Sequence, residues 1–200
     1  YTYGGEKSEP TVSGNTGNGE VTYYYNTTNS TTGGTNWSTV TNSTSLPAGT
    51  YYMYAEVAET ANYNRATTPA VEFTITRAEI TPTVNMTGYT YGGTKSEPSI
   101  SGNTENGEVT YYYNTTNSTA DGINWNTVTS STSLNAGTYY MYATIAQTVN
   151  YNGATTPAVE FTITKVTPNV TVAPTSGSVN YTGNASFLPT PTALPAVNGT

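Results

Sequence analysis

Apolar and polar residues alternate along several short segments, and this period of two predicts β-strands with one buried face. The clearest segment contains Val71, Phe73 and Ile75 in one phase, with polar residues between them. Residues 20–26 and 50–58 alternate in the same way. No segment carries a convincing helical period. The chain is therefore predicted to be all-β.

Turn residues divide these predicted strands at short intervals. Asn18-Gly19 lies between Thr11–Ser13 and Glu20–Tyr25, and an Asn-Gly pair favours a tight hairpin turn. Trp37–Val40 is expected to form a further short strand within a longer polar loop. The spacing indicates six or seven short strands in each unit, as in a β-sandwich.

The same sequence occurs twice. Residues 1–76 and 89–164 are nearly the same, offset by 88 positions without a gap. Solenoid repeats run about 20–50 residues, so this longer period favours one small domain per repeat. We expect one domain at 1–78 (copy one), a second at 79–165 (copy two), and the start of a third at 166–200.

The first and last units are incomplete. Ile80–Val84 is predicted to be the first strand of copy two, and copy one has no such strand before Tyr1. An unpaired sheet edge can be completed by a strand from elsewhere. One hypothesis is that the tail of one chain completes copy one of the next, head to tail, through Val166, Thr167, Pro168, Asn169 and Val170. The alternative is an exposed edge in a piece cut from a longer array.

The inward phase of the strands predicts the core. In copy one, the predicted core residues are Val21, Tyr23, Trp37, Leu46, Tyr51, Met53, Val57, Val71, Phe73 and Ile75. Their partners in copy two are Val109, Tyr111, Trp125, Leu134, Tyr139, Met141, Ile145, Val159, Phe161 and Ile163. Leu46–Tyr51 is expected to form a lock that resembles a tyrosine corner.

The low content of basic residues argues against nucleic acid and anionic membrane as partners. The chain has five Lys and Arg residues and a formal net charge of −7. Binding to nucleic acid or to anionic membrane depends on basic residues, so neither is expected. No apolar run approaches the roughly 20 residues of a membrane span, and no signal-peptide pattern opens the chain. We interpret it as an excised piece of a longer protein.

The residue types also argue against an enzyme. The chain has no Cys and no His, which excludes nucleophilic triads and transition-metal sites built on those residues. The nearest carboxylate pair, Glu56 and Glu59, is replaced in copy two by Thr144 and Gln147. No enzymatic activity, cofactor or metal site is predicted. Calcium bound between domains is an open alternative, and a lysine cross-link is disfavoured because the closing strands contain no Asn or Asp.

Outward-facing aromatic residues are the sharpest candidates for ligand contact. The set comprises Tyr24, Tyr52 and Tyr54, their partners Tyr112, Tyr140 and Tyr142, and the loop residues Trp37 and Trp125. Aromatic platforms stack on sugar rings, and Tyr suits binding surfaces. The alternative is that the tyrosines brace the sheet by cross-strand pairing and that each Trp fills the core.

Several motifs recur in a fixed order in both copies. Tyr3-Gly-Gly5 opens copy one, Gly19–Tyr25 follows, and then come Trp37–Thr39, Leu46–Tyr51 and Asn62-Tyr-Asn64. This order resembles the immunoglobulin-like repeats of large bacterial and archaeal surface proteins, including the type called "mostly beta, glycine-rich". The resemblance covers 1–164 well and 165–200 thinly. It implies extracellular stalks and adhesin-like arrays, with no catalytic residues.

The leading functional hypothesis is a structural spacer at a microbial cell surface, in which tandem immunoglobulin-like β-sandwich domains form a rod. Its partners would be the neighbouring repeats. A second hypothesis is a multivalent module that binds glycans or another cell through exposed Tyr and Trp. A third is a subunit of an extracellular filament completed head to tail by strand donation.

Overall fold

The computed structural model describes residues 1–172, and within them the chain is mostly β, which confirms the all-β prediction. The strands of copy one are β1 (Val21–Asn26), β2 (Thr35–Asn36), β3 (Gly49–Val57), β4 (Ala66–Thr67) and β5 (Val71–Ile75). Those of copy two are β6 (Thr83–Asn85), β7 (Tyr89–Thr90), β8 (Ser99–Ser101), β9 (Val109–Asn114), β10 (Ile123–Asn124), β11 (Gly137–Ile145), β12 (Ala154–Thr155) and β13 (Val159–Thr164). No helix among these residues is long and apolar enough to cross a membrane.

The sheet of copy one is organised around β3. Strand β1 pairs antiparallel with β3 along its length, and β2 pairs with β1. The other side of β3 pairs first with β5 and then with β4. Ala55 lies between the part of β3 that pairs with β5 and the part that pairs with β4. Its amide donates to the Thr68 hydroxyl at 2.9 Å and is therefore satisfied without a strand partner.

Copy two repeats this sheet and adds a second one. Strands β9, β10, β11, β12 and β13 pair as their counterparts do, and β7 pairs parallel with β13, as Thr2 pairs with Thr76 in copy one. Strands β6 and β8 form a separate antiparallel two-stranded sheet. Val84 of β6 packs in the same buried cluster as Met141 and Phe161. The small sheet therefore closes one face of the large one.

The predicted hairpin at the Asn-Gly turn is wrong. Asn18 does adopt a left-handed φ of 49°, but the segment before the turn does not pair with β1. In copy two the equivalent segment is β8, which pairs with β6 in the second sheet. Gly19 is needed for a close approach, since a Cβ there would collide with the Ala58 carbonyl oxygen.

The segment expected to be a short strand after β2 is a turn of 3₁₀-helix, Trp37–Thr39. The Asn36 side chain accepts a hydrogen bond from the Ser38 amide at 2.9 Å and caps this turn. The turn brings Trp37 and Val40 into the core. Copy two has the same turn at Trp125–Thr127.

The predicted core is confirmed most fully in copy two. The predicted residues that are buried there are Trp125, Met141, Ile145, Phe161 and Ile163, and those buried in copy one are Trp37, Leu46, Tyr51 and Ile75. The others are half-buried, with one exception. Val71 is 66% exposed, so its predicted burial is wrong. Its face of the sheet lacks the cover that β6 provides in copy two.

The predicted tyrosine lock is present in both copies. The Tyr51 hydroxyl donates to the Pro47 carbonyl oxygen at 3.0 Å, and Tyr139 donates to Asn135 at the same distance. Each bond joins the start of a long central strand to the turn before it. The hydroxyl is thereby satisfied while its ring packs against the core.

Candidate functional site

The tyrosine pairs on β1 and β3 lie side by side across the strands. Tyr24 is directly opposite Tyr54, and their rings stack with centroids 5.2 Å apart. The Tyr54 hydroxyl accepts a hydrogen bond from the Gly34 amide at 3.3 Å. Tyr112 and Tyr142 stack in the same way at 5.2 Å.

Tyr54 and Tyr142 were expected to face solvent, and this is wrong, because each is 4% exposed. The loop before β2 folds back over the ring of Tyr54, and a Cβ at Gly34 would lie 2.8 Å from that ring. Tyr24 and Tyr112 stay half-exposed. The period of two identified the strand face correctly but could not show that a loop covers part of it.

Tyr52 and Tyr140 are the remaining outward tyrosines, and both are half-exposed. Tyr52 is opposite Glu72 across β3 and β5, and its hydroxyl donates to the carboxylate at 3.2 Å. This hydrogen bond raises the pKa of Tyr52 above its usual value of 10.0. Tyr140 and Glu160 form the same pair in copy two. The pairs have the geometry of cross-strand bracing.

The two tryptophans are buried, so the prediction that they are exposed for ligand contact is wrong for both. Each is held by a Lys and a Glu that the sequence interpretation did not connect with it. The Trp37 Nε1–H donates to Glu9 at 3.0 Å, and the Lys7 ammonium lies 5.1 Å from the ring centroid. Lys7 also donates to the Val40 carbonyl oxygen at 2.7 Å and pairs with Glu9 at 2.6 Å.

Copy two has the same cluster at Lys95, Glu97 and Trp125. The signal in the sequence was the Lys-Ser-Glu motif retained in both copies, far from either Trp along the chain. The hydrogen bond from Lys95, followed by that from Trp125, holds the pKa of Glu97 below its usual value of 4.5. The Lys95 ammonium contacts the Glu97 carboxylate, the Val128 carbonyl oxygen and the Trp125 ring. These contacts give Lys95 a structural role.

The lowered pKa of Glu97 has a consequence for stability. The folded state favours the ionised carboxylate, so its contribution is present above about pH 4.5 and is lost as the pH falls through the lower folded value. We expect Glu97→Gln to make the acid-induced loss of stability shallower. The measurement is urea unfolding at neutral pH and at about pH 3, followed by Trp125 fluorescence in a Trp37→Phe background.

Glu108→Gln is the matched control, because Glu108 is exposed on the same copy and its side chain makes no hydrogen bond within residues 1–172. Its pH profile should follow that of the parent protein. If Glu97→Gln lost stability on acidification as steeply as the parent protein, the assignment of this pH dependence to Glu97 would be wrong.

An open groove lies on the uncovered face of copy one. Its volume is about 620 Å³, and its lining includes Val12, Tyr23, Met53, Val71 and Phe73. Apolar surface dominates this lining, which also includes Trp37. Its lining residues come from the segment before β1, from β1, β3 and β5, and from the 3₁₀ turn at Trp37.

At the equivalent place in copy two, Val84 of β6 packs against the sheet. Met141 and Phe161 are buried there, whereas their partners Met53 and Phe73 are only half-buried in copy one. Ile100 pairs with Val84, whereas its partner Val12 lies outside any strand. The groove therefore lies at the position that β6 occupies in copy two.

The proposed donor segment lies within the described residues. Val166–Val170 forms no strand, and all five of its residues are exposed. Most of the expected third unit, residues 173–200, lies outside the described residues. Strand donation was a hypothesis from sequence alone and stays a prediction here.

A second cluster of polar contacts joins copy one to copy two. The Ala78 amide donates to the Asn150 carbonyl oxygen at 2.9 Å, and the Asn152 amide donates to the Ala78 carbonyl oxygen at 2.8 Å. The Asn150 side chain accepts a hydrogen bond from the Ala48 amide at 2.8 Å. The ring of Tyr3 packs edge-on against Tyr151 at 5.8 Å. We call Asn150–Asn152 the clasp.

A carboxylate supports the clasp from behind. Glu105 accepts hydrogen bonds from the Asn150 amide group at 2.6 Å and from the Thr148 hydroxyl at 2.8 Å. These bonds lower the pKa of Glu105. The sequence showed the Asn-Tyr-Asn motif but not its partner, because Glu105 is replaced by Gly17 in copy one.

Within residues 1–172, no group of three or more Asp or Glu side chains is placed to hold a metal ion. The sequence matches no family model, no curated protein and no solved structure. The geometry of the clasp and of the groove is therefore the basis for a functional proposal.

Proposed function

We propose that this chain is part of the stalk of a microbial cell-surface protein, in which repeated immunoglobulin-like domains act as a structural spacer. The observation that carries the proposal is the clasp. Its residues come from copy two, and its partners, Ala48 and Ala78, come from copy one or the linker. A joint with directed hydrogen bonds on both sides limits the freedom of the linker, which a spacer requires.

The motif that forms the clasp occurs in both copies, which suits an array. Asn62-Tyr-Asn64 of copy one is the counterpart of Asn150–Asn152, and Tyr63 is 51% exposed. At the other end, Ala136 is the counterpart of Ala48. Each copy thus carries the Asn-Tyr-Asn motif and an alanine at the position of Ala48, whereas Glu105 and the linker residue Ala78 are not repeated.

The test of the spacer is to lengthen the array. A further copy of residues 77–164, inserted after residue 164, restores the linker and the clasp at the new junction. We expect the maximum dimension from small-angle X-ray scattering to increase by a constant step with each inserted copy. An unchanged maximum dimension would mean that the copies pack side by side, and the proposal would be abandoned.

The clasp itself makes a separate prediction. Asn150→Ala removes the bonds to Ala48 and Glu105, so we expect a broader distribution of interatomic distances in scattering, with the same unfolding midpoint. Asn62→Ala is the matched control, because Asn62 makes no side-chain hydrogen bond within the described residues. Equal distributions for the two variants would show that the clasp does not set the joint.

A multivalent glycan-binding module is the second candidate. It is favoured by half-exposed tyrosines at identical positions in both copies, Tyr24 with Tyr112 and Tyr52 with Tyr140. Saturable binding on a glycan array that is lost in the double variant Tyr52→Ala, Tyr140→Ala would support it. Binding by neither the parent chain nor the variant would leave bracing as the role of these residues.

A further inference from the structure

An Asn-Gly pair precedes β1 in copy one and β9 in copy two, and the backbone geometry calls for both residue types. Asn18 and Asn106 adopt left-handed φ values of 49° and 53°, which Asn tolerates better than most residues. A Cβ at Gly107 would lie 2.4 Å from the Ala146 carbonyl oxygen, and Gly19 has an equally close contact. The fold therefore fixes a chemically reactive dipeptide in each copy.

An asparagine that precedes a glycine deamidates without an enzyme. The glycine nitrogen loses its proton to a base in the solvent and attacks Cγ of the asparagine, and no side chain on the glycine hinders the approach. The new N–Cγ bond closes a cyclic imide while the Cγ–Nδ2 bond breaks and ammonia leaves. Water then opens the ring to aspartate or isoaspartate. The reaction is slowed wherever the glycine amide is held in a hydrogen bond.

The two copies differ in that hydrogen bond. In copy one, the Gly19 amide donates to Asn15 Oδ1 at 3.0 Å. In copy two, the equivalent Oδ1 of Asn103 is buried and accepts no hydrogen bond within residues 1–172. The Asn103 Nδ2 still donates to the Gly107 carbonyl oxygen at 2.8 Å, as Asn15 does to Gly19. The turn is thus retained in copy two, but the attacking nitrogen is released.

The two turns, residues 14–19 and 102–107, differ in sequence at one position, where copy two has Glu105 and copy one has Gly17. Glu105 adopts a left-handed φ of 61°, which is strained for a residue with a side chain, whereas Gly17 does not adopt a left-handed φ. The carboxylate of Glu105 is bonded to Asn150 and Thr148 of the clasp region. The residue that supports the clasp is therefore also the one that distinguishes the reactive turn.

We propose that Asn106 is a site of spontaneous deamidation and that this modification releases the clasp. Isoaspartate routes the main chain through Cγ, which adds a backbone atom directly after Glu105 and displaces its carboxylate from Asn150. Asn150 then loses the support that orients its side chain toward the Ala48 amide of copy one. The joint between the copies weakens as the molecule ages. This proposal concerns a contact within the structure and stands independently of the spacer.

A third Asn-Gly pair, Asn152-Gly153, lies in the clasp itself and is expected to react more slowly. The Asn152 side chain donates to Glu79 at 2.7 Å, and its backbone amide donates to the Ala78 carbonyl oxygen at 2.8 Å. Both bonds restrict the movement that brings Cγ to the next nitrogen. Asn198-Gly199 lies outside the described residues, and peptide mapping distinguishes it from the other pairs.

The first test measures deamidation rates in the 200-residue chain, by mass spectrometry of peptides after incubation at mildly alkaline pH. We expect Asn106 to react about fivefold faster than Asn18, the factor that corresponds to one net hydrogen bond of about 1 kcal/mol. Glu105→Gly makes the two turns identical in sequence and should slow Asn106 to the rate of Asn18. Glu108→Gln is the matched control, because it removes a neighbouring carboxylate outside the turn and should keep the parent rate. Equal rates at Asn106 and Asn18 in the parent chain, or an unchanged rate in Glu105→Gly, overturn the proposal.

The second test follows the clasp through amide exchange at Ala48, which donates across the joint. In the parent chain, exchange at Ala48 should rise in proportion to the fraction modified at Asn106. Asn106→Gly keeps a residue suited to the left-handed φ and cannot deamidate, so its Ala48 amide should stay slow over the same period. Asn18→Gly is the matched control and should age as the parent does. If Ala48 stays slow in the modified parent chain, or becomes fast in aged Asn106→Gly, the release of the clasp by Asn106 is wrong.

Discussion

Trp125→Ala is expected to lower the free energy of unfolding of copy two by about 3–5 kcal/mol. The ring is buried and contacts Tyr113 and Phe161 edge-on, at centroid distances of 6.0 and 5.8 Å. Its loss also removes the surface on which the Lys95 ammonium rests and the N–H that Glu97 accepts. Since domains of this size are stable by about 5–15 kcal/mol, the change would leave copy two close to unfolding.

The measurement is calorimetry together with amide exchange, which reports the two copies separately. Trp37, the only other tryptophan in the sequence, gives a fluorescence signal for copy one, which should be unchanged. Trp125→Phe is the matched control, because it keeps an aromatic ring but removes the N–H donor, and should cost about 1 kcal/mol. Equal losses for the two variants would mean that the hydrogen bond to Glu97, and not the ring, stabilises the turn.

The strands and the core of this protein could be predicted from sequence because their signal is local. Alternation along β3 and β5 identified the inward phase, and the lock at Tyr51 follows from one turn and the strand after it. The same reasoning gave Val71 the correct phase and the wrong burial. Phase depends on the strand itself, whereas burial depends on a covering element that copy one does not contain.

The contacts that were missed join residues distant in sequence. Glu9 accepts from Trp37 across 28 positions, and Glu105 holds Asn150 across 45. Neither pair has a spacing that a period of two or a turn signal would identify. Tyr54 was misplaced for a related reason, since the loop that covers it closes over the outer face of the sheet. The repeated sequence was the best available guide, because Lys7 and Glu9 recur in copy two, as Glu20 and Glu72 do, whereas Glu6, Glu56, Glu59 and Arg65 are replaced there.

The strand β6 is the element whose presence distinguishes the two copies, and Val84→Asp tests its contribution. Val84 is 2% exposed in the core of copy two. A carboxylate there has no partner, so we expect a loss of about 3–5 kcal/mol in the free energy of unfolding, with β6 released from β8. Copy two should then resemble copy one: amide exchange at Ser99–Ser101 should rise to the rate of Thr11–Ser13.

The contrast between the two faces of β6 makes this prediction specific. Asn85→Asp adds the same charge one residue along, on the exposed face of the strand, and should leave exchange at Ser99–Ser101 nearly unchanged. If both variants released the strand, added charge alone would account for the effect. If Val84→Asp left the exchange slow, β8 would be ordered without its partner, and the absence of a strand at Thr11–Ser13 would need another cause. The expected pair of results instead ties the open groove of copy one to the missing strand, since the same residues form a closed core wherever β6 covers them.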